Sequence, residues 1–391
     1  MARARTSEQE RVAELLRTAR SALGLTMSFL SRLDDDTQYL EVVESGMPFI
    51  ARDGATQRRE TSFCQLILEG EIPPVIPDVR RFPKAMALPA ARFPRIRSYV
   101  SVPVTLSDGT LYGTFCAAGL RSDRELQERD RALMEVLAHA AALIVEPGFV
   151  AERHRREIEA RLLPVVSAGG PSIAFQPIVD LQGGQRVGVE ALSRFPASWG
   201  RGPDVCFAEA REAGLVATLE LQAIERAVGQ ALDVIAPHEY VGVNLSPDVL
   251  LLPDADRVLA GLPLERVLLE LSEHDPVADY DALNRVLRRW RDQGLRLAID
   301  DVGSGFSSMR HIVLTRPDVI KLDRGIVDGV AGSAVLSTLI GAMVTFAGSV
   351  AARTVAEGVE HETDAQALLA LGVDLGQGWF FGRPVPAEEL T

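Results

Sequence analysis

The feature that most constrains the fold of this chain is a regular alternation of short apolar runs with longer helical stretches after residue 172. The runs predicted to be strands are Ile173 to Ile178, Val187 to Leu192, Tyr240 to Leu245, Val267 to Leu271, Leu295 to Ile299, Val319 to Leu322 and Thr354 to Ala356, with a weaker one near Val373. Strands that alternate with helices favour a mostly parallel sheet. Eight such units in about 220 residues predict an α/β fold, a TIM-like (β/α)8 barrel.

Polar side chains recur where these predicted strands end. In a barrel of this type the carboxyl ends of the strands open onto one face, where catalytic residues are found. The residues predicted to lie there are Glu190, Asn244, Glu270, Asp300, Asp301, Lys321 and Glu357. Carboxylates gathered in one place repel each other unless cations neutralise them, and an oxygen-only ligand set favours Mg²⁺ or Mn²⁺. Adjacent aspartates can serve two such ions, an arrangement that suits the cleavage of a phosphodiester.

Two scarce residue types fall within this predicted site. Lys84 and Lys321 are the only lysines of the chain, and Asn244 and Asn284 are its only asparagines. Lysine carries a compact ammonium that can stabilise developing charge at close range. The composition therefore points to the same place as the strand pattern, although each type occurs only twice.

The N-terminal part of the chain has a different pattern. Helical spacing from Ser7 to Leu23 is followed by strand-like runs from Met27 to Leu33 and from Tyr39 to Val43. Further on, the runs Ser98 to Leu106 and Leu111 to Ala118 flank a Ser-Asp-Gly turn, which predicts a hairpin. A second helix is predicted from Glu128 to Val145, ending at Pro147 and Gly148. These elements predict a small α+β domain.

This N-terminal part resembles a GAF sensor domain over residues 8–146. The resemblance is carried by Ser62-Phe63-Cys64, Val75-Ile76-Pro77-Asp78, Tyr99-Val100-Ser101-Val102-Pro103-Val104 and Gly113-Thr114-Phe115-Cys116. These motifs describe a scaffold more than a chemistry, so the ligand of the sensor stays open.

Residues 147–168 are predicted to be a highly charged helical linker. One interpretation is a solvated linker with Ile158 and Leu162 on one face. The other joins it to an apolar stripe as a dimer-forming signalling helix that is broken at Pro147. That stripe is Leu133, Val136, Leu137, Ala140 and Leu143.

Residues 169–391 resemble the EAL family of cyclic di-GMP phosphodiesterases. The signature is Glu190-Ala191-Leu192 with Ser193-Arg194. Further matches, in chain order, are Phe175-Gln176-Pro177-Ile178, Val243-Asn244-Leu245-Ser246, Glu270-Leu271-Ser272-Glu273, Asp300-Asp301, Ile320-Lys321-Leu322-Asp323, Ala356-Glu357-Gly358-Val359-Glu360, Gln377-Gly378 and Phe381-Gly382-Arg383-Pro384. A lone Glu-Ala-Leu has no diagnostic value, whereas this ordered set is specific.

The resemblance implies a role for each matching residue. The ligands of one metal would be Glu190, Asn244, Glu270 and Asp300. The second metal, also Mg²⁺ or Mn²⁺, would lie among Asp300, Asp301 and Glu357. Lys321, Asp301 and Glu357 would take part in catalysis, Lys321 by contacting the attacking water or the phosphate and Glu357 by orienting or deprotonating that water. The substrate contacts would be Leu192, Arg194 and Gln377.

A glycine-rich segment after the aspartate pair resembles the family's mobile loop, which couples metal binding to dimerisation. It includes Gly303 and Ser304 and would be anchored by Glu273. Asp323 and Glu360 are predicted to hold the metal-binding side chains in place without binding an ion themselves. The alternatives are pairing with Arg324 or helix capping for Asp323, and a charge on a helix surface for Glu360. The chain departs from the family at Val302, where phenylalanine is usual, and at His361, where threonine is common. The smaller Val302 puts loop packing and rate in doubt more than metal binding.

Bulk properties exclude several classes of protein. A net charge of -13 argues against a DNA or RNA polymer as partner. The three cysteines show no metal spacing and predict reduced, buried thiols, and the charged N-terminus lacks a signal peptide, so a cytoplasmic protein is expected. The uncharged stretch 329–352 is predicted to be a buried helix, either amphipathic or apolar all round, without a membrane span.

These features predict a cyclic di-GMP phosphodiesterase that releases linear pGpG, is tuned by the N-terminal sensor and forms a homodimer. No Gly-Gly-Asp-Glu-Phe segment of the cyclase type occurs, so synthesis is not expected. One alternative is a catalytically silent cyclic di-GMP receptor that signals to a partner. Another is a two-metal hydrolase of a different phosphodiester.

Overall fold

The computed structural model describes residues 5–47, 51–303 and 308–390. The chain divides into two compact units, one ending at His154 and the other beginning at Arg155. Each unit has its own clusters of buried apolar side chains.

The N-terminal unit is an α+β domain, as predicted. Its strands are β1 (Met27–Leu33), β2 (Thr37–Ser45), β3 (Ala55–Arg58), β4 (Val75–Ile76), β5 (Ser98–Thr105) and β6 (Leu111–Gly119). Its helices are α1 (Ser7–Leu23), α2 (Phe63–Leu68), α3 (Pro83–Ala87), α4 (Pro89–Arg92) and the first part of α5 (Glu128–Ser167), which continues past His154 into the C-terminal unit. Among the described residues the sheet order is β3-β2-β1-β6-β5-β4. One apolar cluster joins the sheet to α1 and α5, and a second joins it to α2, α3 and α4.

The predicted hairpin connects β5 and β6 through the Ser-Asp-Gly turn. Gly109 has φ +83°, a conformation in which a side chain is strained, and the Asp108 carboxylate accepts a hydrogen bond from the Thr110 backbone N–H at 2.8 Å. The turn therefore fixes the register that places Val104 opposite Gly113.

The predicted helix end at Pro147 is wrong, because α5 runs unbroken from Glu128 to Ser167. A proline inside a helix removes one backbone donor and crowds the preceding turn, which is why the sequence pattern indicated an end there. Side chains on both sides of Pro147 pack on the N-terminal unit and oppose this cost. Val145 is buried, and the Phe149 ring meets the Tyr112 ring edge-on at a centroid distance of 5.3 Å.

The apolar stripe predicted on this helix is divided between two environments. Leu137 is buried in the core of the unit, whereas Val136 and Leu143 are 68% and 61% exposed. By length and composition alone, α5 also qualifies as a candidate membrane span among the described residues, with 33% of the qualifying window buried. Only part of the stripe therefore belongs to the core.

The C-terminal unit contains the predicted barrel. Its strands are β7 (Ser172–Asp180), β8 (Arg186–Arg194), β9 (Tyr240–Asn244), β10 (Val267–Ser272), β11 (Arg296–Val302), β12 (Val319–Leu322), β13 (Arg353–Ala356) and β14 (Leu375–Gln377). In the described residues they close in the order β10-β11-β12-β13-β14-β7-β8-β9. The weak strand predicted near Val373 begins two residues later. One strand departs from the parallel pattern, since β7 is antiparallel to both β8 and β14.

Helices surround the barrel between its strands. They are α6 (Pro203–Glu212), α7 (Val216–Val234), α8 (Pro247–Leu250), α9 (Pro253–Leu259), α10 (Tyr280–Arg291), α11 (Ser308–Thr315), α12 (Arg324–Val327), α13 (Ala334–Ser349) and α14 (Glu362–Ala370). The helix predicted within 329–352 is present as α13, and it is buried along one face, as the amphipathic alternative predicts. Ile340 and Met343 are buried there, whereas Val335 is 78% exposed.

We expect Pro147→Ala to raise the unfolding temperature of the N-terminal unit. The alanine restores a backbone donor and removes the crowding of the turn before it, a cost of about 3 kcal/mol for proline in a helix interior. Differential scanning calorimetry of the full chain measures the change. Phe149→Ala is the matched variant and is expected to lower the same transition, since it removes the contact with Tyr112. A lower unfolding temperature for Pro147→Ala would contradict a continuous helix.

Candidate active site

The position of the polar site residues is set by the alternation of side chains along the barrel strands, which repeats every two residues. Successive side chains of a strand point to opposite faces, so residues two apart share a face. Apolar side chains fill one end of the barrel interior, and each has a polar or glycine neighbour two positions away toward the other end. These pairs are Ile178 with Gln176, Tyr240 with Gly242, Leu268 with Glu270, Ala298 with Asp300, Val319 with Lys321, Val355 with Glu357 and Leu375 with Gln377. The interior is therefore apolar at its base and polar at the opposite rim.

Asp301 breaks this alternation. Its neighbour Asp300 faces the interior, so a regular strand would turn Asp301 outward. Instead, Asp301 has φ +59°, and the pairing of β11 with β12 shifts register between Ile299 and Val302. A left-handed backbone costs a non-glycine residue roughly 1 kcal/mol or more. The result is that Asp300, Asp301 and Glu357 bring oxygen atoms within 4.8 Å of one another.

Lys321 lies at the centre of the acidic cluster and is fully buried. Its Nζ lies 2.7 Å from Glu270 Oε2, 2.8 Å from Glu357 Oε1 and 3.0 Å from Asp300 Oδ1. Glu190 Oε2 lies slightly farther away, at 3.3 Å. A single ammonium cannot balance the carboxylates around it, so the rim keeps an excess of negative charge.

Amide side chains hold the Glu190 side of the cluster. Gln377 donates to the Glu190 carboxylate and, at 3.1 Å, to Gln176 Oε1. Gln176 in turn donates to the Gly382 carbonyl at 3.1 Å, and Asn244 Nδ2 lies 3.4 Å from Glu190 Oε1. The antiparallel pairing of β7 with β8 places Gln176 directly opposite Glu190.

Burial and mutual repulsion shift the protonation of the cluster. Burial raises the pKa of Glu270 well above its usual range; Lys321 opposes the shift, and the charges of Glu190 and Asp300 reinforce it. Burial likewise raises the pKa of Glu357. Burial lowers the pKa of Lys321, but the surrounding carboxylates outweigh that effect and raise it overall. The ammonium is therefore fixed in its charged form, while the carboxyl groups favour a proton or another cation.

The donor set fits divalent cations. Glu190, Glu270 and Asp300 form one group with oxygens within 4.8 Å of one another, and Asp300, Asp301 and Glu357 form a second. Glu270 Oε1 is buried without a hydrogen-bond partner, as expected of a ligand atom. Gly242 leaves space for that oxygen, because a Cβ at this position would lie 2.2 Å from it. Carboxylate and amide oxygens suit Mg²⁺ or Mn²⁺.

A cleft of about 500 Å³ adjoins the cluster. Its lining includes the predicted substrate residues Leu192 and Arg194 together with Asn244 and Glu270. Burial lowers the pKa of Arg194, opposed by the charge of Glu190, and its guanidinium donates to the Ser193 carbonyl at 3.0 Å. A cationic side chain thus lies on the wall of a cleft whose inner end is acidic.

The residues predicted to support the site have varied positions. Glu273 is fully buried beside it. Asp323 caps α12 by accepting from the Gly325 backbone at 2.8 Å, and Glu360 pairs with Arg324 at 2.9 Å. Gly303 lies in the turn that follows β11, and Ser304 lies outside the described residues.

The packing of Val302 bears on the predicted departure from the family. This side chain is fully buried and pairs with Leu322 in the barrel. Its effect on the following loop and on rate stays a prediction, because residues 304–307 lie outside the described part of the chain.

Comparison with known families supports this assembly. The EAL domain family model matches residues 159–384, and the GAF domain model matches residues 5–146. The chain belongs to the EAL domain family. Its EAL match covers the whole barrel and begins within α5.

Named relatives of this EAL protein include two from Escherichia coli (strain K12). It is 31% identical over 231 residues to the protein named as the probable cyclic di-GMP phosphodiesterase PdeN, covering 56% of this chain and 44% of that one. It is 29% identical over 223 residues to probable cyclic di-GMP phosphodiesterase PdeD, covering 55% and 42%. The chain therefore spans less than half the length of these curated relatives.

Solved EAL structures resemble the barrel. The manganese and cyclic di-GMP complex of Klebsiella pneumoniae BlrP1 is 31% identical, with a TM-score of 0.50 and coverage of 55% of this chain and 56% of that one. The PaMucR phosphodiesterase in its cyclic di-GMP complex is 27% identical, with a TM-score of 0.53 and coverage of 60% and 100%.

Two EAL-domain residues of this site had no role assigned from the sequence. Gln176 lay in a quoted motif, but its link to Gln377 depends on the reversed direction of β7. Gly242 had a usable signal, since glycine inside a strand indicates that another group approaches closely.

We expect Gly242→Ala to weaken Mn²⁺ binding by at least about tenfold, the lower end of the range for residues that orient metal ligands. The new methyl group must displace the Glu270 carboxylate, which Lys321 holds from its other oxygen. Isothermal titration calorimetry with Mn²⁺ measures the affinity. Gly229→Ala, where a Cβ meets no atom within 4 Å, is the matched control and should leave the affinity unchanged. Equal affinities for the two variants would show that Glu270 does not bind the ion.

Proposed function

We propose that the C-terminal unit hydrolyses cyclic di-GMP to linear pGpG with two divalent cations. The observation that carries the proposal is the meeting of an acidic, lysine-centred cluster with a cleft that contains Arg194. The named relatives and the cyclic di-GMP complexes of similar structures support the choice of substrate.

The two groups of carboxylates support a proposed set of ligands for two Mg²⁺ or Mn²⁺ ions. Glu190, Asn244, Glu270 and Asp300 would hold one ion, and Asp300, Asp301 and Glu357 would hold the other. When bound, such a pair activates a water and stabilises the charge on the attacked phosphate and the leaving oxygen. Asp300 belongs to both groups, and the left-handed Asp301 keeps the second carboxylate on the same side.

The chain's own residues position the reactants and handle the proton. Lys321 keeps its charge and would stabilise negative charge that develops on the phosphate. Glu357 would orient or deprotonate the attacking water. Asp301 would help to orient that water, since one of its carboxylate oxygens lies within 4.8 Å of a Glu357 oxygen.

The cleft would hold the dinucleotide. Arg194 would pair with a substrate phosphate, and Leu192 would contact the substrate beside it. Gln377 would act through Glu190, to which it donates a hydrogen bond, and so fix the inner end of the cleft.

The sensor and the homodimer are further parts of the proposal. The GAF match places a domain of the sensor type ahead of the EAL barrel along the chain. Val136, Leu143 and Val150 recur every seven residues on α5 and are each at least 40% exposed. A seven-residue repeat of exposed apolar side chains is the spacing with which one helix packs against another copy of itself.

The decisive experiment incubates the purified full chain with cyclic di-GMP and either Mg²⁺ or Mn²⁺, and measures pGpG by liquid chromatography. We expect pGpG to accumulate with the metal and not with a chelator. Tight binding without pGpG would instead identify a silent receptor. Turnover of other cyclic dinucleotides or of bis(p-nitrophenyl) phosphate, without turnover of cyclic di-GMP, would identify a different phosphodiesterase.

We expect Lys321→Gln to lower kcat by about 10²-fold to 10³-fold while the protein still binds Mn²⁺, because it removes a preorganised charge and no metal ligand. Lys84→Gln is the matched control, since it changes the other lysine, which is 60% exposed on the N-terminal unit. Arg194→Ala should act mainly on KM, as a loss of substrate binding. Steady-state kinetics separates these effects. A Lys321→Gln protein with unchanged kcat would remove the lysine from the mechanism.

A further inference from the structure

Two cysteines that are far apart in the sequence meet in the core of the N-terminal unit. Cys64 lies in the first turn of α2 and Cys116 lies on β6. Their sulfur atoms are 3.4 Å apart, and both side chains are buried. The predicted burial of these thiols is confirmed, but their pairing was not predicted.

Polar groups surround these sulfurs in an otherwise apolar cluster. Gln38 Nε2 donates to Cys64 Sγ at 3.0 Å, and the Tyr99 hydroxyl lies 3.1 Å from the same sulfur. The Cys116 sulfur lies 3.2 Å from the hydroxyl oxygens of Ser101 and Thr114. An apolar core made only for packing has no need of this set of hydrogen-bonding groups.

A hydrogen bond from Gln57 fixes the orientation of the Gln38 amide. Gln57 donates to Gln38 Oε1 at 2.6 Å, so the Gln38 amide nitrogen faces Cys64 and Ser31. Gln57 is exposed at the surface. A row of hydrogen bonds through Gln57 and Gln38 therefore connects the surface of the unit with the Cys64 sulfur.

The two thiols differ in acidity. Burial alone would raise the pKa of Cys64, but hydrogen bonds from Cys116, Thr114, Tyr99 and Gln38 outweigh it and lower the pKa to about 6. Burial raises the pKa of Cys116 well above its usual range, reinforced by the hydrogen bond with Cys64 and the charge on it. The hydrogen bonds thus favour the thiolate form of Cys64 over that of Cys116, the relative acidity expected of an attacking and a resolving cysteine.

We propose that Cys64 and Cys116 form a peroxide-oxidisable dithiol, a modification site of the N-terminal unit that converts reversibly to a disulfide. The Cys64 thiolate attacks one oxygen of hydrogen peroxide and the O–O bond breaks. The other oxygen departs as hydroxide, and Cys64 becomes a sulfenic acid. The Cys116 sulfur then attacks the Cys64 sulfur, the S–S bond forms, and the sulfenic oxygen leaves as water with the thiol proton. Two thiols and one peroxide thus give one disulfide and two waters.

The geometry requires only a small movement. A disulfide has a sulfur separation of about 2.05 Å, against 3.4 Å in this structure. Cys116 lies on a central strand paired with both β1 and β5, whereas α2 is six residues long. The approach is therefore expected from α2, which gives up the contacts of Cys64 with Gln38 and Tyr99.

The test treats the reduced full chain with hydrogen peroxide, blocks remaining thiols by alkylation after unfolding, and maps the digested peptides by mass spectrometry without reductant. We expect a Cys64–Cys116 cross-linked peptide that dithiothreitol returns to two thiols. Cys206 is an internal control, since it is buried in the other unit and should be recovered as an alkylated thiol. Recovery of Cys64 and Cys116 as thiols, or oxidation of Cys64 without the cross-link, would overturn the proposal.

Variants separate the two sulfur roles from a general loss of structure. Cys116→Ser should stop at a sulfenic acid on Cys64, which dimedone traps, whereas Cys64→Ser should leave Cys116 unmodified. Gln38→Leu should keep the cross-link but slow its formation at neutral pH, because the thiolate loses a donor. Its rate should rise with pH along a curve displaced to higher pH than that of the unchanged chain. Circular dichroism of each variant confirms folding, and a Gln38→Leu protein with an unchanged pH profile would contradict the assigned activation.

Discussion

The placement of one buried ammonium among closely spaced carboxylates is the constraint on which the rest of the barrel depends. Lys321 holds Glu190, Glu270, Asp300 and Glu357 within 3.3 Å, yet leaves their combined charge only partly neutralised. Such a group is tolerated in a folded core only if further cations and donors complete it. The amide chain behind Glu190, the clearance at Gly242 and the left-handed Asp301 all serve this one cluster.

The strand pattern of the barrel could be predicted because apolar runs and helical stretches alternate without interruption. Only the last strand was weak, since Leu375–Gln377 contains a glycine and a glutamine. The direction of β7 could not be predicted, because hydrophobic pattern carries no information on parallel or antiparallel pairing when both faces are buried. The continuity of α5 was also missed. Local proline chemistry argues for a break there, and the packing of Val145 and Phe149 that opposes it is a tertiary effect.

At the site, residue type and strand position brought the acidic residues and Lys321 together correctly. For Asp323 the sequence left a supporting role and helix capping open, and the side chain caps α12. Cys64 and Cys116 show the limit most clearly, since 52 positions separate them and no spacing rule relates a short helix to a strand of that sheet. Their meeting depends on how α2 crosses β6, which local sequence does not encode.

The reversed direction of β7 has a consequence for the way the barrel is entered. Ser172, its first residue, pairs with Arg194 at the end of β8, so the chain arrives at the rim that carries Arg194 and Glu190. In an all-parallel barrel the first strand would begin at the far end, a full strand length from the chemistry. The turn after α5 is fastened at this rim, where the Arg226 guanidinium binds the carbonyls of Gly170 and Pro171. A displacement of the segment that enters the barrel would therefore act first on residues beside Glu190 and Arg194, without transmission through the barrel wall.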